Sequence, residues 1–308
     1  MKALSRIPLQ KLFRSKSSFR SPPLVNLVTT MPLCTVHLLA LHNSTPNSLF
    51  TFLSVLQSSP VKPLVVSRVI RWIILPTSIS TEHLLARNIT WDLLLILPGA
   101  DELPAGIAEL VQHSWSVTAG VPSRLTRDFD KTNEKLLHPD ISTLPPLSPP
   151  DSSRRETTQS SQNLELSAHL DAWIDSFVHS DRSGKAGKGA VSMFNLLAFR
   201  PGKKDEYLKY GAAFAESIGS RHGGNAKIVG NVVTGVNGKA KKEEGEGDWD
   251  EIALAHYPSI AHFRDMLASE DYQRVNHRHR VGSLRDTCIL MTSEIAVEEM
   301  MGGGRARL

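Results

Sequence analysis

The sequence predicts an α+β fold: two ferredoxin-like β-α-β-β-α-β units in tandem, pressed sheet to sheet as a barrel within one chain of 308 residues. Three observations predict it. His37-Leu38-Leu39-Ala40-Leu41 is echoed by Asn195-Leu196-Leu197-Ala198-Phe199, 158 positions on. Trp91-Asp92 is echoed by Trp249-Asp250 at the same distance, and each pair opens an apolar run. Chance matches need not agree in spacing, so the shared offset points to duplication of one unit. The third observation is the order of short apolar runs and helical patterns, which is the same in both halves.

In the first unit, residues 33–42 are short, apolar and rich in branched side chains, as a buried strand is. Turn and cap residues at 43–47 start a helix that runs to about Gln57, where Pro60 and Pro63 follow. Residues 64–75 form a long strand closed by Pro76, and 92–97 form another. A helix is expected from Pro104 to about His113, then a strand from Trp115 to Val121. Residues 138–162 are rich in Pro, Ser and Thr and form the linker. Beyond it, Leu166, Leu170, Trp173, Ile174 and Phe177 fall at helical spacing and mark a docking helix. The second unit then gives a strand at 191–199, a helix from Lys204 to about Ser220 and a strand at 226–233. A Gly-rich polar loop at 235–248, a strand at 251–257, helices across 259–282 and a strand at 287–294 complete it. Each antiparallel sheet has helices on one face only. Its bare face must be buried, and pressing the two sheets together buries both.

Apolar residues make up 41% of the chain and charged residues 21%, a globular balance. The formal charge is +4, but residues 1–30 carry Lys2, Arg6, Lys11, Arg14, Lys16 and Arg20 and no acid. The basic excess belongs to the leader and does not argue for a nucleic-acid partner. The leader has the composition of a mitochondrial transit peptide, with a disordered tail, or translation from Met31, as the alternatives. The C-terminal Ala306-Arg307-Leu308 is similar to a peroxisomal tripeptide, placing the chain in the peroxisome, with mitochondrion or cytoplasm as alternatives. No stretch is apolar enough to predict a membrane span. Cys34 and Cys288 read as two buried thiols, not a disulfide framework.

The second unit resembles the dimeric α+β barrel superfamily, and within it the DUF1330-like domains, across 191–295. Tyr207-Leu208-Lys209-Tyr210, then Gly223-Gly224 and Gly230, are similar to the family's first helix, glycine turn and second strand. Ser269-Glu270-Asp271-Tyr272-Gln273 resembles the word after its second helix. Arg278 or Arg280, with Arg285-Asp286, resembles the closing arginine before the last strand. The first half lacks the tyrosine word and the double glycine, so it reads as a degenerate copy kept for packing. Related barrels include cofactor-independent monooxygenases, small cyclases, haem-handling proteins and stress-induced proteins. The resemblance therefore implies a fold more than a reaction.

Six residues are candidates for a site. Asn195 is polar inside an apolar strand, and the resemblance implies that such a residue faces a ligand cavity; a satisfied core amide is the alternative. His256 ends a strand beside Asn195's strand, so the two are expected to share a pocket, with His256 as general base. Tyr272, Val275 and His279 share a helix face by i, i+3, i+7 spacing, which turns His279 inward as a second proton-transfer group. Tyr272 would orient the ligand, and Arg278 or Arg280 would hold its anionic group. No metal motif, nucleotide-binding loop or nucleophile elbow is present. The expected partner is a small apolar or anionic organic molecule, without a nucleotide cofactor and with haem as an alternative. A non-catalytic barrel is the competing reading. The tandem chain is expected to be a monomer with an internal pseudo-dimer, or a homodimer.

Overall fold

Eight antiparallel strands close into one barrel in the order β1-β3-β2-β8-β5-β7-β6-β4. They are β1 (Leu33–Leu41), β2 (Val65–Ile74), β3 (Leu93–Pro98), β4 (Val111–Gly120), β5 (Val191–Phe199), β6 (Asn225–Val232), β7 (Glu251–Tyr257) and β8 (Leu284–Ser293). The structure is a computed structural model that describes residues 31–43, 47–99, 102–148, 161–239 and 248–302. The basic leader, the linker's residues 149–160, most of the charged loop and the terminal tripeptide lie outside the described residues.

The first half contributes four strands in the order β4-β1-β3-β2 and the second half contributes β8-β5-β7-β6. Two seams join them edge to edge: β2 with β8, and β4 with β6. The β4–β6 seam is tight at Gly230. A Cβ there would come within 2.9 Å of the Gly120 carbonyl, so only glycine fits without displacement.

Alternation sorts the side chains. Val36, Leu38, Leu94, Ile96, Val117, Phe194, Leu196, Ile228, Leu254 and Leu290 form one cluster that spans both halves and fills the interior. Intervening residues point outward to helices. Leu39, Leu93, Leu95 and Leu97 pack on the Ser48–Ser58 helix. Val191, Met193, Ile289 and Met291 pack under the Ala168–His179 and Ile260–Ala268 helices. Each fully buried Leu or Phe contributes about 1.5–3 kcal/mol, so the interior is the main source of stability.

The Trp-Asp words have the same structural task in each half. A register shift near the end of β1 frees the Leu41 amide, which donates to Asp92 Oδ2 at 2.8 Å. A matching shift in β5 frees the Phe199 amide, which donates to Asp250 Oδ2 at 2.8 Å. Each aspartate thus ties a bulged first strand to the start of the third. The two tryptophans join the interior cluster.

Several elements differ from the sequence reading. The expected 104–113 helix is a single turn, Ala105–Ala108, and β4 begins already at Val111. The helix Phe129–Leu137 and the closing helix Glu294–Met300 were not expected. Part of the linker is packed: Ser148 donates its amide to Asp265 Oδ1, and His262 bonds the Pro145 carbonyl. Among the described residues, no helix is long and apolar enough to cross a membrane.

Candidate functional site

Between the sheet and the helices of the second half lies a layer of aromatic and polar side chains. All four tyrosines of the chain are in it: Tyr207, Tyr210, Tyr257 and Tyr272. Tyr207 and Tyr210 come from the Lys204–Ala213 helix, and their rings lie 5.4 Å apart. The Tyr210 and Tyr272 hydroxyls are 3.4 Å apart. Tyr257 comes from β7 and donates its hydroxyl to Met266 Sδ.

Arg280 enters this layer and is only 1% exposed. Its Nη1 donates to the Gln162 carbonyl at 3.2 Å, while Nη2 is buried without a hydrogen-bond partner. Among the described residues, no carboxylate forms an ion pair with it. Burial pushes the phenols of Tyr207, Tyr257 and Tyr272 well above their ordinary range, and the Arg280 charge pulls each back. Glu251, at the start of β7, is also buried here. Burial pushes it up to about 7 against the pull of Lys204.

Arg280 faces inward because of a local irregularity. Asn276–Val281 is a turn of π-helix, whose i→i+5 bonds add a residue to the turn. The inward positions become Asn276 and Arg280, both buried. This corrects the expectation that His279 points inward; of the two arginines expected to hold an anionic group, Arg280 is the buried one. Arg278 is exposed and lies away from the layer. His279 sits at the margin, its Nδ1 2.5 Å from Glu206 Oε1. The Lys209 ammonium and the His279 imidazole hold Glu206 down to about 2.

Asn195 also faces the helix side, in line with Met193 and Leu197. Its amide donates to the Met193 carbonyl at 2.8 Å and, at 3.4 Å, to the Ala253 carbonyl. His256 pairs with Ser192 across the β5–β7 ladder, three residues from the Asn195–Ala253 pair, so it points to the opposite face. The two therefore do not share a pocket. His256 is 1% exposed, its ring bonds the Leu136 carbonyl, and Nδ1 has no partner. Burial, with the Lys227 and His262 charges, pushes it down to about 3. A base so weak is poorly matched to proton abstraction near neutral pH. The structure thus brings Asn195, Tyr272 and Arg280 to one layer with His279 at its edge, and separates Arg278 and His256 from them.

Sequence reasoning passed over Tyr207, Tyr210 and Glu251 as site residues. Glu251 carried a readable signal: a charge opening a strand at the position equivalent to Leu93 of the first half. Among the described residues, recesses of about 580, 770 and 250 Å³ open elsewhere, and none of these is lined by the six expected residues. Cys34 and Cys288 are free and buried. Burial pushes the Cys34 thiol up to about 11, which leaves it unreactive. Among the described residues, no group of His, Cys, Asp or Glu has the arrangement to hold a metal ion.

No family model and no curated protein matches the chain. Among solved structures, a protein of unknown function from Rhodopseudomonas palustris is similar over 42% of this chain and 93% of its own, at 22% identity and a TM-score of 0.32. A dye-decolorizing protein from V. cholerae is similar over 88% of this chain and 96% of its own, at 11% identity and a TM-score of 0.38. Both likenesses are too slight to bear on what this chain binds. What stands on the strand pairing itself is an α+β barrel closed within one chain.

Proposed function

We propose that the second half binds a small organic anion with an apolar body, such as a carboxylate or phenolate, in the layer between its sheet and helices. The observation that carries this reading is Arg280: a fully buried guanidinium with an unpartnered Nη2 and, among the described residues, no carboxylate paired with it. Leaving such a group without a counter-charge costs several kcal/mol or more, and an anionic ligand would remove that cost. Arg280 anchors the anion, the Tyr272 and Tyr210 hydroxyls orient it, and Asn195 borders it from the sheet. If the ligand is transformed, in the manner of a cofactor-independent monooxygenase or cyclase, proton transfer falls to His279, whose partner Glu206 orients its ring. No nucleotide cofactor enters this reading. The first half serves as a degenerate DUF1330-like copy that closes the barrel.

One observation favours a second, non-catalytic reading. Arg280, Asn276 and Gln273 donate to the carbonyls of Gln162, Asn163 and Leu164 in turn, which clamps the segment leading to the Ala168–His179 helix. Thermal-shift titration with hexanoate, benzoate and 4-hydroxybenzoate separates the two. Anion binding predicts a saturable rise in Tm that Arg280→Gln abolishes and Arg280→Lys partly keeps. No rise with any anion leaves the clamp as the sole role of Arg280.

A further inference from the structure

A second polar cluster lies on the other face of the sheet, where the Phe129–Leu137 helix crosses the ends of β6, β7 and β8. Lys227 of β6 is buried and pairs with Glu294, just past the end of β8. Its Nζ also stands 5.9 Å from the Phe129 ring. Glu294 Oε2 accepts from Asn133 Nδ2 at 2.6 Å. Behind the same helix is His256, with its unpartnered Nδ1, within electrostatic reach of Lys227. Beside this cluster opens the largest of the three recesses, about 770 Å³, a size suited to a small organic molecule.

The chemistry of the wall selects the ligand. Glu294 can only accept, so the Asn133 amide is fixed with Nδ2 toward it. Asn133 Oδ1 is then an acceptor, and it is buried with no partner. Asp130, Glu134, Glu294 and Glu298 line the recess against two lysines, Lys62 and Lys131. Lys227 answers Glu294 from behind and His138 Nε2 lies 3.1 Å from Glu298 Oε1, while Asn133 Oδ1 is left as the unanswered acceptor. Leu64, Val66, Leu137 and Val297 supply an apolar wall. An unpaired buried carbonyl is destabilising, and an N–H donor from a ligand would remove that cost.

We propose that this recess is a binding site for a small organic cation, a primary amine with an apolar body. Its ammonium meets Asn133 Oδ1 and the Glu294 and Glu298 carboxylates, and its body lies on Leu64, Val66 and Leu137. The site is distinct from the Arg280 layer, takes the opposite charge, and stands or falls apart from it.

Calorimetric titration of the full chain with phenethylamine and hexylamine, against phenylacetate and hexanoate, tests the proposal. Saturable amine binding is expected, weakened about tenfold in Asn133→Leu, which loses one hydrogen bond to a charged donor. In Glu298→Gln it weakens severalfold, and that half-exposed position leaves the fold intact even if Asn133→Leu does not. The proposal is overturned if the amines do not bind, or if Glu298→Gln and Asn133→Leu bind them as the wild type does.

Discussion

The two halves of the barrel share a frame and differ in what they bury. Asp92 and Asp250 accept amides of the first strands at the same 2.8 Å, across the same separation of 51 residues. The layers outside the sheets diverge. The first half packs Leu39, Leu95, Phe52, Leu53 and Ile107, all apolar. The second half packs four tyrosines with Arg280, Asn276 and Glu251. Strand-end ties maintain the frame in both halves, while the layer outside the sheet is polar in the second half alone.

Breaking the join between the halves should destabilise the protein most. Asp286 of β8 accepts the amides of Thr77, Ser78 and Ile79 and the hydroxyls of Thr77 and Ser78, all from the first half. Burial pushes its carboxyl up, but these bonds outweigh burial and hold it below its ordinary range. Asp286→Ala strands several buried donors and should cost about 4 kcal/mol in denaturant unfolding. A loss below about 1 kcal/mol would remove Asp286 from the account.

The next effect separates the halves by pH. Burial lowers His37, in the first half, from 6.5 to about 4. The unfolded chain binds that proton more readily, so the contribution is full above pH 6.5 and is lost as pH falls toward 4. Burial raises Glu251, in the second half, from 4.5 to about 7. Here the folded chain binds the proton more readily, so stability is full below pH 4.5 and declines as pH rises to 7. Each is worth about 3 kcal/mol at its limit. His37→Asn should flatten the acid limb of a Tm–pH profile, and Glu251→Gln the decline toward neutral pH. Unchanged profiles would contradict the burial assigned to these groups.

The two aspartate ties should differ by less. Asp250 is buried and Asp92 is half-buried. Asp250→Ala should therefore cost about 2 kcal/mol and Asp92→Ala about 1 kcal/mol. Equal losses would mean that the halves are more alike at these ends than their burial indicates.

The strands were legible because each is a short apolar run, and the 158-residue offset aligned β1 with β5 and β3 with β7. The Phe129–Leu137 helix was not, because only Phe129, Leu136 and Leu137 are apolar among charged neighbours. The residues Ala-Glu-Leu-Val at 108–111 suit a helix, and only pairing with β1 makes the end of that run a strand. Asn195 and Tyr272 were readable as polar or aromatic residues in apolar settings. The inward turn of Arg280 was not, because the π-turn that produces it breaks the α spacing used to read faces. The Lys227–Glu294–Asn133 cluster joins residues up to 161 positions apart, which no local pattern records.

Because every tyrosine lies in the second half, tyrosine signals report on the proposed anion site alone. The most direct measurement is NMR of the full chain carrying ¹³C-labelled tyrosine rings, titrated with hexanoate in wild type and Arg280→Gln. Saturable shifts of the Tyr210 and Tyr272 signals, absent from the variant, are the predicted result. Four unmoved signals, or the same shifts in both proteins, would contradict an anion held by Arg280.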